Sequence, residues 1–486
     1  MTMDARSNRQ RYPISALVVG LAREGTALTR FLVGRGASVT VTDTRPAKAL
    51  AESRAALADL SVRYALGGHP LSLLDSADVV FVSPGVPPEI PLLVAARQRG
   101  LPISSETRLF TSLCPAPIVG ITGSSGKSTT TALVGEILKA AGRRTWVGGN
   151  IGQPLIGRLD EILASDVVVM ELSSFQLEFF RAWSGPVAAE VPFAPGGWSP
   201  PLAAILNITP NHLDRHLSME AYTAAKAQIL NHQRPGDIAV LNLDNPTTRH
   251  MGEQVKPDRR VLWFSLEQEV PEGAFLQGAE LILRLAGREE AICASDELQL
   301  LGRHNIANVL AACALAGAAG ASIEAMRRVV TSFSGVPHRL EKVRDHHGVR
   351  WYNDSIATSP ERTAAALQAF EEPLVLLAGG RDKHLPWDEL AALIWRQVHH
   401  LILFGEAADL IEKAMNAARD RAGAGEAEQP THIHRVGTLD RAVELAAELA
   451  QPGEIVLLSP GGTSFDAYPD FVARGVHFRK LVEALE

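Results

Sequence analysis

Cysteine is nearly missing from this chain of 486 residues, which has only Cys114, Cys293 and Cys313. They lie far apart, cannot all pair and show no metal-ligand spacing, which predicts packing residues in a reducing compartment rather than a disulfide framework. Clusters of positive charge are missing too. The 47 Lys and Arg are scattered among 54 Asp and Glu, for a formal net charge of -7. That excludes the basic footprint of a nucleic-acid binder and favours small soluble ligands. The N-terminal stretch has no apolar core and carries Asp4, Arg6, Arg9 and Arg11. It predicts a frayed tail rather than a secretory signal, and so a cytoplasmic chain. Long apolar runs are scarce. The segment from Ile306 to Ile323 raises the membrane question, but it is short, Ala/Gly-rich and interrupted by Asn308 and Ser322. It predicts a helix buried against a sheet. No repeat of solenoid period is visible, and nothing in the sequence calls for more than a monomer.

What is present is alternation. At roughly 150 residues per domain the length suggests about three domains. The predicted fold class is α/β, with Rossmann-like first and last domains around a central P-loop-type parallel sheet, and expected boundaries of 1–106, 107–335 and 336–486. The first third offers strands at Ala16–Gly20, Ser38–Asp43 and Asp78–Gly85. Its first turn, Gly20-Leu21-Ala22-Arg23-Glu24-Gly25, departs from the dinucleotide pattern, although Asp43 falls about where a ribose-binding acid would. A nucleotide-like ligand at strand ends is the expectation, with NAD the weaker form of it. The second unit begins near Cys114-Pro115-Ala116-Pro117 and has strands at Val167–Glu171 and Ala204–Ile208. The Gly/Pro-rich stretch from Ser184 to Pro201 reads as a surface insertion. A third alternation starts near Gly335, with strands at Val349–Asp354, Leu374–Gly380, Leu401–Gly405 and Glu454–Gly462. The low-complexity stretch from Ala422 to Gln429 predicts a loop.

The richest chemistry lies in Val119-Gly120-Ile121-Thr122-Gly123-Ser124-Ser125-Gly126-Lys127-Ser128-Thr129, where an apolar strand meets a helix through a glycine-rich turn. Glycines let successive N-H groups converge on an anion, the helix start adds its positive dipole end, Lys127 neutralises charge and Ser128 can hold Mg2+. ATP or GTP is the expected ligand. The spacing is a shortened variant of the usual pattern, because Ile121 stands where the first glycine should be.

A cradle alone does not separate a kinase, a switch or a ligase, so the other strand ends must decide. Glu171 closes an apolar strand, the usual place for an acid serving Mg2+, with a solvated strand end as the bland alternative. The segment Leu172-Ser173-Ser174-Phe175-Gln176-Leu177-Glu178 packs polar groups beside it. The run Asn207 to His216 brings imidazoles and carboxylates to the same edge, where His212 taken alone would more often be structural. Gly302-Arg303-His304-Asn305 opens an apolar helix, as a nucleotide contact or equally as a capping arrangement.

In order, the cradle, Glu171 to Glu178, His212-Leu213-Asp214, Gly302 to Asn305, Pro337-His338-Arg339 and Asn353-Asp354-Ser355 resemble the motifs of the Mur ligases over nearly the whole chain. Glu171 to Glu178 and Ser459 to Asp466 are similar to the members that add glutamate. The resemblance implies a first domain for a UDP-sugar, a middle domain for ATP and a last domain that closes and admits the amino acid. It implies that the carboxylate of UDP-N-acetylmuramoyl-L-alanine attacks the γ-phosphate of ATP. The resulting acyl phosphate then takes the amine of D-glutamate, in peptidoglycan precursor synthesis. By the same resemblance Gly123, Ser124, Ser125, Gly126, Lys127, Ser128 and Thr129 cradle the phosphates, and Asn305, Arg339 and Asp354 contact the nucleotide. Two Mg2+ ions are implied, with Ser128, Glu171, His212 and Lys226 as their ligands. Lys226 matches the lysine that becomes carbamylated in this family; otherwise it is an exposed helix lysine. Thr44, Arg45, Ser83 and Gly85 would receive the uridine and diphosphate, and Asn150 and Ser173 the acyl part. Thr358, Lys383, Ser464 and Phe471 would receive glutamate.

Two departures stand out. Ser125 replaces a common Asn, which matters little where backbone does the binding, and Ile356 replaces a common Lys after Asn-Asp-Ser, removing a positive charge near the expected glutamate. An L-glutamate-adding variant is therefore an alternative. A folylpolyglutamate-synthase-like ligase is another, but it should bind a pterin, and Asp43-Thr44-Arg45 with Ser83-Pro84-Gly85 favours a UDP-sugar. A kinase or GTPase switch leaves five motifs unexplained, and retention of Lys127, Glu171, His212 and Lys226 argues against an inactive binding module.

Overall fold

Short β-branched runs bounded by glycine and proline form the strands of three sheets, and the apolar faces of the intervening helices cover them. This computed structural model describes residues 11–185, 191, 196–210, 213–300, 302–370, 372–382, 385–422 and 431–486. Residues up to Phe333 form one compact unit and Ser334–Glu486 a second.

The first unit holds two sheets. In one, β1 (Ser15–Val19), β2 (Ser38–Asp43), β3 (Val62–Leu66), β4 (Val79–Val82) and β5 (Ile103–Ser104) run parallel in the order β3-β2-β1-β4-β5. The chain reverses its direction of progress between β1 and β4, which opens a crevice at their carboxyl ends. The other sheet comprises β6 (Ile118–Thr122), β7 (Thr145–Gly149), β8 (Val167–Glu171), β9 (Leu202–Ile205), β10 (Ile238–Asn242), β11 (Arg260–Ser265), β12 (Gly273–Gln277), β13 (Glu280–Leu285) and β14 (Arg288–Ala294). Its order, β14-β13-β12-β11-β10-β9-β6-β8-β7, puts β6 between β8 and β9, again at a switch point.

One apolar cluster joins the two sheets. It includes Val18, Leu28, Leu32, Phe81 and Phe110 from the first part and Ile118, Leu155, Ile156, Met170, Ile205 and Leu241 from the second. The other face of the second sheet is covered by helices Lys127–Ala140 and Arg303–Ala318, and Val309 to Ala316 of the latter are fully buried. The apolar segment at Ile306 is thus a core helix, as its composition predicts. No helix among the described residues is long and apolar enough to cross a membrane.

The second unit has β15 (Glu341–His346), β16 (Val349–Asn353), β17 (Leu374–Gly379), β18 (Val398–Phe404), β19 (His432–Gly437) and β20 (Ile455–Gly461), in the order β15-β16-β20-β17-β18-β19. All neighbours are parallel except β15 and β16.

Three differences from the sequence reading have physical causes. The strand expected to reach Ile208 stops at Ile205, because Asn207 turns back to accept the N-H groups of Ser124 and Ser125 at 2.9 Å each. Strands β13–β14 and β15–β16 form antiparallel hairpins that end their sheets, with β14 and β15 at the edges, closed by two-residue turns at Ala286-Gly287 and His347-Gly348 whose residues all have left-handed φ. The stretch from Ser184 to Pro201 lies only partly at the surface where it is described, with Ser184, Gly196 and Pro201 exposed. Val191 and Ser199 are buried, Ser199 Oγ bridges Gln228 O and His232 N, and Gly196 O accepts Arg108. Ala422 ends helix Ala408–Ala422, and the rest of the expected loop lies outside the described residues.

Candidate active site

Strand β6 delivers the chain to the cradle, and helix Lys127–Ala140 carries it away. Gly126 caps that helix with φ of +80°, and a Cβ there would lie 2.2 Å from Asn308 Oδ1, so the position has neither the conformation nor the room for a side chain. The same contact draws the start of helix Arg303–Ala318 to the cradle, where Asn308 Nδ2 holds Asn305 Oδ1 at 3.1 Å. Lys127 Nζ bends back to donate to Gly123 O at 2.9 Å and Ser124 O at 3.1 Å. Ser124 Oγ in turn donates to Thr209 O and meets the Tyr222 hydroxyl at 3.1 Å, which pins the loop to its neighbours. Thr129 follows in the first helical turn and is half-buried.

Glu171 ends β8 beside this cradle and is 2% exposed, so it is no solvated strand end. Ser128 Oγ donates to its Oε2 at 2.6 Å, and Asn150 Nδ2 donates to its Oε1 at 2.7 Å. One polar chain therefore runs from the cradle helix through the acid to the end of β7. The carboxylate and hydroxyl oxygens suit a hard divalent cation such as Mg2+. Among the described residues no three His, Cys, Asp or Glu side chains converge on a further metal site, and His212 lies outside those residues.

Beyond Glu171, Ser173 caps helix Ser174–Leu177 by accepting Gln176 N at 3.2 Å, while Gln176 Oε1 accepts Ser173 N at 3.0 Å. This reciprocal pair fixes the backbone just past the acid. Lys226 is only 2% exposed, which excludes the alternative of an exposed helix lysine. It reaches inward from helix Met219–Asn231 to donate to Gly123 O at 2.9 Å and Thr122 Oγ1 at 3.3 Å. Burial, reinforced by the charge of Lys127 and opposed by Glu171, lowers its pKa to about 6, so near neutrality the amine is largely uncharged.

At the crevice of the first sheet, Thr44 and Arg45 follow β2, and Ser83 and Gly85 follow β4. Thr44, Arg45 and Gly85 are exposed, and Ser83 Oγ donates to Gly20 O at 3.1 Å. Asp43 has no room for a ribose role. Its oxygens accept Leu21 N at 2.8 Å and the Arg45 guanidinium at 2.7 and 3.0 Å, and these bonds outweigh its burial and hold its pKa at about 2.

In the second unit Asp354 follows β16. It accepts Ser459 Oγ at 2.8 Å and Leu340 N at 3.2 Å, and burial outweighs these bonds and raises its pKa to about 7. Arg339 is exposed and starts the approach to β15. Thr358 sits on the turn after Asp354 together with Ile356, whose N-H is held by His338 O. Ser464 is buried at the start of a turn closed by Tyr468 N, and Phe471 O accepts Ser355 Oγ at 2.8 Å. Lys383 lies outside the described residues.

The sequence reading missed Arg474, which is fully buried in helix Phe471–Glu483. Its guanidinium donates to Ser355 Oγ at 3.0 Å, Ser355 O at 2.9 Å and Gly462 O at 3.2 Å, tying the turn of Thr358 to the turn of Ser464. Burial lowers its pKa to about 10. No local pattern marks it, because its partners stand 12 and 119 residues away.

Comparison with known proteins covers the chain from end to end. Residues 14–105 match the Mur ligase MurD-like N-terminal domain, 121–316 the Mur ligase middle domain and 338–462 the Mur ligase glutamate ligase domain. The chain is 46% identical to the UDP-N-acetylmuramoylalanine--D-glutamate ligase of Symbiobacterium thermophilum, across 97% of this chain and 98% of that one. It is 40% identical to the protein of the same name from Clostridium novyi, across 96% of each. Among solved structures, UDP-N-acetylmuramate-alanine ligase from Thermotoga maritima aligns with a TM-score of 0.51 at 18% identity, covering 97% of this chain and 99% of that one. MurF from Acinetobacter baumannii aligns with a TM-score of 0.51 at 17% identity, covering 99% and 92%. These two likenesses speak for the fold.

Proposed function

The chain belongs to the Mur ligase family, and on that premise we propose that it is an ATP-dependent amide ligase joining D-glutamate to UDP-N-acetylmuramoyl-L-alanine in peptidoglycan synthesis. The observation that carries the reading is the unbroken polar chain Ser128–Glu171–Asn150, which joins the glycine-rich loop, assigned here to phosphate, to Asn150, assigned here to the acyl end. A kinase needs no such second seat on the same acid.

In the proposed division of labour, Gly123 to Thr129 wrap the phosphates and Lys127 leaves the loop carbonyls for the γ-phosphate, with Asn305, Arg339 and Asp354 serving the nucleotide. Asn150 and Ser173 orient the acyl end, and Thr44, Arg45, Ser83 and Gly85 hold the uridine and diphosphate. The alanyl carboxylate then attacks the γ-phosphorus and ADP leaves, after which the glutamate amine displaces phosphate from the acyl phosphate to form the amide. Thr358, Lys383, Ser464 and Phe471 receive the glutamate. Ser128 and Glu171, joined by His212 and Lys226, would hold two Mg2+ ions, which when bound offset the repulsion between carboxylate and phosphate. The reading places the enzyme in the cytoplasm as a monomer, in keeping with three unpaired cysteines.

The test is phosphate release from Mg-ATP and UDP-N-acetylmuramoyl-L-alanine with D- or L-glutamate in parallel, each product weighed by mass. Turnover is expected with D-glutamate only, Ile356 notwithstanding; turnover with L-glutamate alone would move the protein to the variant activity.

Lys226 is further proposed to add CO2 through its neutral amine, losing one proton to give a carbamate whose oxygens replace the buried nitrogen as a cation ligand. Turnover is accordingly expected to fall in CO2-depleted buffer and to recover on adding bicarbonate. Equal rates in both buffers would remove the carbamate from the mechanism.

A further inference from the structure

Two buried acids unused by this chemistry lie behind the Gly20–Gly25 turn, which holds Ser83, one of the residues assigned to the uridine and diphosphate. Glu24 is in the first turn of helix Arg23–Gly34. That helix starts so close to β1 that a Cβ on Gly25 would lie 2.0 Å from Gly20 O, the carbonyl that also takes the Ser83 hydroxyl. Glu24 Oε1 accepts Gln176 Nε2 at 3.1 Å, whereas its Oε2 is buried without a partner. Glu106 opens helix Glu106–Leu113 and is 6% exposed. It accepts only long bonds of 3.3 Å, from Ile156 N and Thr107 Oγ1, and Thr107 Oγ1 itself takes the second Gln176 N-H at 3.1 Å.

Both carboxyls line one crevice with Val18, Gly25, Leu28, Phe81, Val82 and Ser83, and it has no room for water. An ionised carboxylate offers about four lone-pair sites, so neither acid is solvated well enough to carry its charge cheaply, and two such charges together are worse. Burial, opposed by Arg23 and the Gln176 bond, raises the pKa of Glu24 to about 7. Burial, helped by the charge of Glu24 and opposed by Ile156 N, Thr107 and Arg23, raises that of Glu106 to about 8. Arg23 is the cation that acts on both, and its guanidinium also reaches towards Asn150 O at 3.5 Å.

We propose that Glu24 and Glu106 are a positioning pair held protonated in this crevice, and that retaining their protons lets the Gly20–Gly25 turn accept the diphosphate of the UDP-sugar. With both protons in place the crevice stays closed and no full negative charge stands behind the turn. Once both acids ionise, they repel each other and the incoming anion. The inference rests on the diphosphate being seated at Gly20–Gly25 and Ser83. The pair belongs to binding, so kcat at saturating substrate should change little.

Calorimetry of UDP-N-acetylmuramoyl-L-alanine binding to the full chain without ATP, from pH 6 to 8.5 in two buffers of different ionisation heat, tests it. Wild type is expected to take up a proton on binding and to lose affinity by up to about tenfold per unit above pH 7. Glu24→Gln keeps a partner for Gln176 and should bind with a shallower pH dependence and less proton uptake, the remainder belonging to Glu106. An unchanged pH slope in Glu24→Gln, or no proton uptake by wild type, overturns the proposal. Melting of the ligand-free proteins reads the pair without substrate. The folded state holds the proton more tightly than the unfolded chain, so wild type should lose melting temperature relative to Glu24→Gln as pH rises from about 4.5 to 8. Diverging melting curves with pH-independent binding would reject the coupling. Absence of UDP-sugar binding at every pH would reject the assigned substrate and the coupling with it, while the melting series would still show whether the acids stay protonated in the folded chain.

Discussion

Lys127→Ala is expected to lower phosphate release by about a thousandfold while leaving UDP-N-acetylmuramoyl-L-alanine binding, followed by calorimetry, unchanged. The side chain contributes one charge to the cradle, where it donates to Gly123 O and Ser124 O. Those bonds keep the ammonium at the loop until a better anion arrives, so removing it costs the loop little. The shape of the cradle is set elsewhere, by Asn207 on Ser124 and Ser125 and by Gly126 against Asn308. Folding should therefore survive, and a melting curve close to wild type is part of the expected result. Turnover close to wild type would take Lys127 out of the phosphate site.

The second large effect concerns stability. Arg474→Ala is expected to destabilise the second unit by about 3–5 kcal/mol, seen as an early melting transition. Three changes act in one direction. The carbonyls of Ser355 and Gly462 and the Ser355 hydroxyl lose their donor, the buried side chain leaves a cavity, and Asp466 loses the cation that it acts on. Arg474→Lys should recover only part of the loss, because one ammonium cannot serve carbonyls on two turns in fixed directions. A melting curve like wild type for Arg474→Ala would mean that the turns hold without it.

The cradle, Glu171 and the buried helix at Ile306 were legible in the sequence because each is written in consecutive residues. A strand, a glycine turn, a lysine and a helix are neighbours in the chain before they are neighbours in space. The parallel sheets were legible for the same reason, through alternation of apolar runs with helical segments. Arg474 and the Glu24–Glu106 pair were not, since their meaning depends on what tertiary closure places opposite them. Glu24 looks like an ordinary acid in a first helical turn until Gln176 and Glu106 arrive from 152 and 82 positions away. The edge hairpins were missed because Ala286-Gly287 and His347-Gly348 are weak turn signals beside Asn-Gly or Asp-Gly. For Lys226 the residues alone left an exposed helix lysine open beside the reading that the family resemblance implied, and only the fold, which turns it inward, decides against exposure.

Because Val18 and Phe81 share one apolar cluster with Met170 and Ile205, the first two sheets cannot slide apart without exposing that cluster, at about 25 cal/mol for each Å2 uncovered. The interval between the Gly20–Gly25 turn and Lys127 is thus held by packing, and on the substrate seating proposed above it would act as a gauge. A substrate anchored by its diphosphate at one end would be sorted by its reach, too short a one stopping before the cradle and too long a one passing Asn150. The core would then discriminate length beside Asn150 and Ser173, which orient the acyl end in that proposal.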